Sequence, residues 1–335
     1  MILSSSVNWG LLENIDDTCG TSANTFPIKG KIAKLNDALH WYFGLAEKNA
    51  QNWNADDTNN TSPPIDTQNI VSGTNRYKLS AFTEEILEIL KLEVDDGSGV
   101  AKALYPDIID SFGNVIGNAS GQISGYSSDS FDDIYVNASS GIPSRYIKYG
   151  DFIYLDKKPN YNATSGLKAY FNRPATLFSF VSCQGEADDE TFTATAHGLV
   201  ANDTVIFEIN DTGTLPTGLS ANTEYYVIST GLTSNVFEVS ATLSGSAVNI
   251  TTDGSNLHFL KTNKEPGLPS SPHPILYRKV SALFMSANNS GGVYNARLST
   301  LLPELTKDER TIESFYARRD KDLRQRLTPK YSDNR

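Results

Sequence analysis

Alternating apolar and polar residues mark the middle of the chain. Between Arg145 and Arg173 this alternation predicts two strands, Phe152–Leu155 and Leu167–Phe171. The segment between them, Pro159–Gly166, is rich in turn-forming residues. Pro174 ends the second strand because proline has no backbone N–H to donate. We therefore expect a β-hairpin here, with Pro159–Gly166 at its tip.

Helical periodicity marks the chain on both sides of this hairpin. Apolar residues recur at helical spacing from Pro27 to Ala50, which predicts a first long helix. The chain is again helical from His273, is broken at Asn288–Gly292, continues as a helix from Tyr294 to Leu302 and is reset at Pro303. A last helix is predicted from Thr306 to Leu327.

The remaining segments are mostly polar. Residues 1–26 suggest an extended arm, and residues 51–73 suggest a linker. Residues 76–94 contain two strand patterns around a stretch that periodicity leaves open between helix and strand. Residues 101–144 indicate a long polar excursion with two short strands, Val115–Ile116 and Ile134–Val136.

A separate β-rich module follows the hairpin. From Gln184 to Thr262 six strand-like segments alternate with turns, roughly ten residues apart, as in small all-β domains. The segments before and after this module are predicted to belong to one and the same domain, which is typical of a module inserted into another domain.

These patterns together predict an α+β fold. We expect a helical host domain with a β-hairpin or small sheet, and an inserted all-β domain that is sandwich-like or barrel-like. The predicted parts are an N-terminal arm (1–26), a discontinuous host domain (27–183 and 264–327), the inserted domain (184–263) and a C-terminal tail (328–335).

Charge is distributed unevenly along the chain, whose net charge is −11. Residues 184–262 carry ten acidic side chains and one basic one, whereas residues 318–335 carry seven basic and three acidic ones. An acidic protein is a poor general ligand for nucleic acid, although the basic end suits an acidic neighbour or DNA. No apolar run approaches the roughly 18 residues of a membrane span, and the first residues do not resemble a signal peptide.

Residues with catalytic potential do not form a recognisable pattern. Cys19 and Cys183 lie far apart, and two cysteines in so long a chain indicate a reducing compartment. The four histidines have no ligand spacing, and the usual nucleotide, zinc and nucleophile motifs do not occur. Asp95–Gly99 predicts a turn, because it lacks the length and terminal glutamate of a calcium loop. We therefore predict no catalytic residue, no cofactor, no metal site and no enzyme.

Two groups of segments resemble proteins of tailed-bacteriophage particles. The first comprises RYIKYGDFIYLDKKPN, GLKAYFNRPATLF, PGLPSSPHPILYRKVSALFM and ESFYARRDKDLRQR. It is similar to phage neck proteins, the head-to-tail connector or adaptor subunits below the portal, over most of residues 27–183 and 264–327. The second, AHGLVANDTVIFEINDTGTLPTGLSANTEYYVIST, resembles a small β-module of many phage virion proteins.

The resemblance implies a structural role in the virion. Neck subunits form a ring, commonly of about twelve copies, that joins the portal to the tail. The implied partners are further copies of the chain, the portal protein, the next neck or tail protein, and DNA that passes through the lumen without being read. No membrane is implied, and the subunit would be made in the cytoplasm of the bacterial host.

Two groups of polar residues are the expected contact sites in such a ring. One group lies at or beside the hairpin tip and the other at the basic end of the last helix. They are Lys157, Lys158, Asn160 and Tyr161 at the tip, and Arg318, Arg319, Lys321, Arg324 and Arg326 at the helix end.

Other functions also fit parts of the sequence. A tail terminator, tail tube, collar or decoration protein would be mostly β, with fewer helices near the C-terminus. A carbohydrate-binding adhesin would use the β-rich module. A glycan hydrolase would need an acid and a base that nothing in the sequence nominates.

Overall fold

A computed structural model describes residues 1–5, 9–49, 64–109, 115–117, 130–268 and 272–321 of the chain. The α-helices in these ranges are α1 (Leu11–Cys19), α2 (Ile28–Asn49), α3 (His273–Ala287) and α4 (Asn295–Lys321), and short 3-10 or π-helical turns cover Leu79–Ala81, Asp132–Val136 and Ser290–Gly292. The strands are β1 (Ile65–Ile70), β2 (Arg76–Lys78), β3 (Glu88–Asp95), β4 (Ala101–Ile109), β5 (Val115–Gly117), β6 (Arg145–Tyr149), β7 (Phe152–Leu155), β8 (Ala163–Asn172), β9 (Val181–Glu186), β10 (Thr191–Thr193), β11 (Thr204–Thr214), β12 (Glu224–Val227), β13 (Val236–Phe237), β14 (Val239–Ser240) and β15 (Ser255–Lys261).

Two large sheets carry the fold, so the expected α+β architecture of a helical host with a hairpin or small sheet is wrong. The supposed linker contains β1, and the supposed polar excursion contains β4 and β5. β5 lies where the short strand Val115–Ile116 was expected, whereas Asp132–Val136 forms a π-helical turn, so the expected strand at Ile134–Val136 is wrong. β1 escapes periodicity because it carries many polar residues. Its sequence is Ile-Asp-Thr-Gln-Asn-Ile, and most of its side chains are only half-buried.

Contacts divide the chain into two compact units. One unit takes the chain up to Asn49 and again from Ala175. The other takes the described residues from Pro64 to Pro174. The helices thus share a unit with the β-rich module, whereas the sequence analysis grouped them with the Arg145–Arg173 stretch.

The unit from Pro64 to Pro174 is built on an eight-stranded sheet. Seven strands follow the order β1-β8-β3-β4-β6-β7-β2, and β5 pairs with β4. The terminal strands β1 and β2 are consecutive in the chain, and Gln68 Nε2 donates a 2.7 Å hydrogen bond to the Lys78 carbonyl. One face buries apolar side chains that include Leu92, Ile153, Leu167 and Phe171.

The predicted hairpin between Phe152–Leu155 and Leu167–Phe171 is wrong. β7 pairs with β6 and β2, whereas β8 pairs with β1 and β3. The tight hairpin instead joins β6 to β7 through Gly150 and Asp151. Gly150 has a φ of 60°, which a two-residue hairpin turn requires and glycine adopts without strain.

The other unit contains a seven-stranded antiparallel sheet. Its strands follow the order β13-β10-β9-β15-β11-β12-β14. Only Glu238 separates β13 from β14, so the two ends of the sheet are neighbours in the chain and the sheet curls into a nearly closed barrel. Its interior is aromatic and includes Phe192, Phe207, Phe237 and Phe259.

The four described helices of this unit pack on one another. α3 contacts α1, α2 and α4, and the shared core also includes Ile206 of β11 and Leu260 of β15. The first 26 residues are not an extended arm, because they form α1 and bury Leu3 and Ile15 in this core. α4 continues through Pro303, where the sequence analysis expected a new start. None of the helices in the described ranges has the length and apolar character to span a bilayer.

Candidate docking site at the fork of the eight-stranded sheet

The first predicted contact site, Lys157 to Tyr161, is held in the fold by hydrogen bonds. The backbone N–H of Lys158 donates to the Ser139 carbonyl at 2.8 Å, and the Gly73 N–H donates to the Pro159 carbonyl at 2.7 Å. The Tyr161 hydroxyl donates to the Asp95 carbonyl, and burial raises the pKa of Tyr161 to about 12. Tyr161 therefore serves the fold, although Asn160 is exposed and Lys157 and Lys158 are half-buried.

The second predicted site is only partly described. The backbone of Arg318, Arg319 and Lys321 lies at the end of α4. Their side chains lie outside the described part of the structure, as do Arg324 and Arg326 altogether. The two predicted groups therefore stay predictions as contact sites.

A more pronounced surface feature lies where the eight-stranded sheet forks. β4 pairs with β3 only from Ala101 to Leu104, and with β6 only at Tyr105 and Pro106. Two features explain the fork. Leu90 is a bulge that bends β3, and Pro106 has no N–H to continue a ladder.

One half of β3 is consequently open on one side. Glu88 and Ile89 pair with β8 on the other side, but no described strand pairs with them across the fork. β6 is in the same position after Tyr146, since its remaining residues pair only with β7 among the described strands. Strand edges of this kind present unpaired N–H and C=O groups to any extended chain that approaches.

An apolar groove occupies the fork, with a volume of about 640 Å³. Several of its apolar side chains face water, including Leu87 (38% exposed), Ile108 (68%) and Tyr149 (59%). The other lining residues are Glu88, Ile89, Pro106, Asp107, Ile109, Tyr146, Ile147 and Lys148. Contiguous exposed apolar surface of this kind marks interaction sites in soluble proteins.

A buried polar network supports the groove at Asp107. Oδ2 of Asp107 accepts a 2.5 Å hydrogen bond from the Tyr135 hydroxyl and lies 3.3 Å from Arg145 Nη1. Oδ1 of Asp107 is buried and has no hydrogen-bond partner among the described residues. Burial, followed by the bond to the Asp107 carboxylate, raises the pKa of Tyr135.

Asp156 completes this network and fixes the start of β6. Its Oδ1 accepts hydrogen bonds from the backbone N–H groups of Ser144 (2.8 Å) and Arg145 (3.0 Å), and its Oδ2 lies 3.7 Å from Arg145 Nε. One guanidinium thus bridges two carboxylates. The Ser144 hydroxyl also donates to Oδ2 of Asp156 at 2.8 Å. The hydrogen bonds of both carboxylates thus hold the backbone around β6 in place, and the network acts as a negatively charged support.

No family model and no curated protein matches the chain. Function is therefore inferred from the geometry of the described residues and from the resemblance noted in the sequence.

The β-rich module has a larger cavity of about 910 Å³, which bears on the alternatives. Hydroxyl and amide groups line it, including Ser182, Gln184 and Asn235, and no aromatic ring is among its lining residues. Cys183 also lines it, but burial raises the pKa of this thiol to about 12, so it is not a nucleophile near neutral pH. Within the described ranges, no group of three or more His, Cys, Asp or Glu side chains is arranged to hold a metal ion.

The groove was not predicted, although the sequence contains one signal for it. Pro106 lies inside the strand pattern Ala-Leu-Tyr-Pro-Asp-Ile-Ile, and proline within a strand marks an edge or a bulge. The remaining groove residues come from three separate stretches that only the strand order brings together.

Proposed function

We propose that the protein is a structural subunit of a tailed-phage neck, which forms an oligomeric ring at the head-to-tail junction of the virion. The ring joins the portal to the tail and lets DNA pass through its lumen. The observation that carries this proposal is the exposed apolar groove beside half-open strands. A monomer would leave this surface in water, whereas assembly would cover it.

The shape of the groove favours a ring over a simple dimer. A concave groove is not complementary to itself, so its partner on the next copy has to be a different surface. Contacts between two different surfaces propagate head to tail and close into a ring when the rotation permits. The resemblance to connector subunits is the reason for assigning this ring to the neck of the virion.

Charge suggests where the β-rich module belongs in such a ring. Residues 184–262 have ten acidic side chains and one basic one, so this module repels DNA. We place it outside the lumen. A density map with the module on the lumen wall would contradict this placement.

Electron microscopy and native mass spectrometry test the ring. We expect the purified protein to form rings of about twelve copies at micromolar concentration, and phage particles to show matching density below the portal. Ile108→Glu places a charge in the groove and should yield monomers. Leu243→Glu alters an apolar residue of the β-rich module with a similar exposure and should leave rings intact. Monomers at every concentration, together with no such density in particles, would refute the proposal.

A further inference from the structure

We propose that the groove at the fork binds the C-terminal segment, Asp322–Arg335, of a neighbouring copy as an added strand. The inference rests on the proposed ring and names the contact that joins one subunit to the next.

The acceptor side offers what strand addition requires. The backbone of Glu88 and Ile89 is open toward the fork among the described strands, so its N–H and C=O groups can form a ladder with an extended peptide. Leu87, Ile108 and Tyr149 provide apolar walls for the side chains of that peptide. Main-chain bonds then supply affinity, and the walls and charges supply selectivity.

The charges of the groove favour a basic peptide. Asp107 and Asp156 share the single guanidinium of Arg145, which leaves one negative charge in excess. Glu88 and Lys148, which also line the groove, cancel each other. An arginine that enters here would balance the excess charge and bring hydrogen-bond donors toward Asp107, whose Oδ1 has no partner among the described residues.

The donor side has the matching composition. The fourteen residues after Lys321 carry four basic and two acidic side chains in a chain whose net charge is −11. Within them, Leu-Arg-Gln-Arg-Leu at Leu323–Leu327 has the alternation of a strand as well as the helical pattern predicted as far as Leu327, so in an added strand Arg324 and Arg326 would share one face. Fully extended, fourteen residues span roughly 46 Å.

A cysteine cross-link in trans tests this contact directly. One chain carries Tyr149→Cys in the groove wall, and a second chain, distinguishable by mass, carries Arg324→Cys. Both native cysteines are buried, so the introduced thiols are the reactive ones. After mixing and mild oxidation we expect a disulfide that joins the two kinds of chain. Val71→Cys, exposed on the same unit but outside the groove, should give none.

The outcomes separate this inference from the proposed function. Rings without the cross-link would overturn the inference and leave the ring intact. A disulfide that forms only within one doubly substituted chain would also overturn it, because the segment would then occupy its own groove.

A peptide measurement tests the contact without requiring rings. The receptor is the full chain with Arg324→Glu and Arg326→Glu, which weakens its own segment, and the probe is a fluorescent Asp322–Arg335 peptide. We expect saturable binding in fluorescence anisotropy, weakened about tenfold or more by Ile108→Glu in the groove and unchanged by Leu243→Glu. The affinity should also fall as salt rises. Absence of saturable binding, or binding that Ile108→Glu does not weaken, would overturn the inference.

Discussion

Lys31 is a charged side chain that α2 carries into the helical core. It is almost fully buried, and its Nζ lies 2.6 Å from Asp16 Oδ2 of α1. Asp16 is itself partly exposed and also accepts a 2.8 Å hydrogen bond from the Thr21 hydroxyl. The pair therefore holds α1 against α2. The buried Lys31 ammonium needs Asp16 as its counter-charge, whereas the Asp16 carboxylate also has water and Thr21 as partners.

Removing one partner of this ion pair should cost far more than removing the other. Asp16→Asn leaves a buried ammonium without a counter-charge and should lower the free energy of unfolding by about 3 kcal/mol. Lys31→Met keeps the length of the side chain and leaves Asp16 to water, so we expect less than half of that loss. Chemical denaturation measures both. Equal losses would show that packing, and not charge, explains the effect.

His273 makes stability depend on pH. It is fully buried at the start of α3, Nε2 donates to the Leu268 carbonyl at 2.9 Å, and Nδ1 lies 2.9 Å from the amino nitrogen of Met1. Burial lowers the pKa of His273, and the positive charge of the Met1 amine acts in the same direction, whereas the hydrogen bonds to the Leu268 carbonyl and to Met1 and the charge of Glu265 oppose this shift.

The sign of this dependence follows from where the proton binds. The unfolded chain takes up a proton at His273 below about pH 6.5, whereas the folded chain resists it. Stability should therefore be constant near pH 7 and above as far as this group is concerned, and should fall as the pH drops below about 6.5. His273→Gln should reduce that slope in denaturation curves from pH 7 to pH 5. His40→Gln, at an exposed position of α2, should keep it.

The thiols of Cys19 and Cys183 should be unreactive toward alkylating reagents in the native protein. Burial raises the pKa of Cys183 to about 12, and it also raises the pKa of Cys19. Because the thiolate is the reactive form, iodoacetamide at pH 7.5 should leave both unmodified until denaturant is added. Mass spectrometry of the intact protein measures this. Rapid modification of either thiol in native buffer would contradict the burial.

The turn between β3 and β4 shows how a single element supports the fold. Gly97 and Gly99 both have positive φ, 88° and 86°. A Cβ on Gly97 would lie 2.9 Å from the ring of Tyr161, whereas a Cβ on Gly99 would meet nothing within 4 Å. Both glycines thus have a left-handed backbone conformation, but only Gly97 packs against another side chain.

Alanine at these two positions should separate backbone strain from packing. Each substitution should cost about 1 kcal/mol for the left-handed conformation. Gly97→Ala should cost about 1–2 kcal/mol more, because it displaces Tyr161. Denaturation of both variants gives the difference, and Tyr161→Phe, which keeps the ring, serves as control. Equal losses of stability for Gly97→Ala and Gly99→Ala would mean that the Tyr161 side chain can move without an energetic cost and could serve as a surface contact.

Elements with strong apolar periodicity were predictable from the sequence. The expected helix from Pro27 to Ala50 is α2, Ile28–Asn49. By contrast, α1 has only nine residues, too few for its pattern to stand out. β1 is largely polar. The turn of the β6–β7 hairpin consists of only Gly150 and Asp151, which is a weaker turn signal than the longer segment Pro159–Gly166.

The candidate docking site could not be predicted, because it depends on strand order. Leu87, Ile108 and Tyr149 are separated by long stretches of chain and meet only because β3, β4 and β6 are neighbours. Pairing between distant strands is set by the whole sheet and leaves no local signature. The basic end of the chain, by contrast, was evident from composition alone.

The whole molecule contains two units, each with its own core, which bears on how it unfolds. Chains of this kind depart from two-state behaviour. We expect calorimetry to resolve two transitions, with Asp16→Asn lowering one midpoint and Gly97→Ala lowering the other. One transition that both variants shift equally would contradict independent unfolding.

The connection of β13 to β14 through the single residue Glu238 affects how closely copies of the β-rich module can be placed without pairing edge to edge. Sheets with long free edges pair with one another when many copies are held close together, and proteins at high local concentration have to suppress this. Because Glu238 joins the two terminal strands of the seven-stranded sheet, and each of them is only two residues long, little edge is left for another chain to extend. The β-rich module can therefore be displayed side by side in many copies without seeding aggregation.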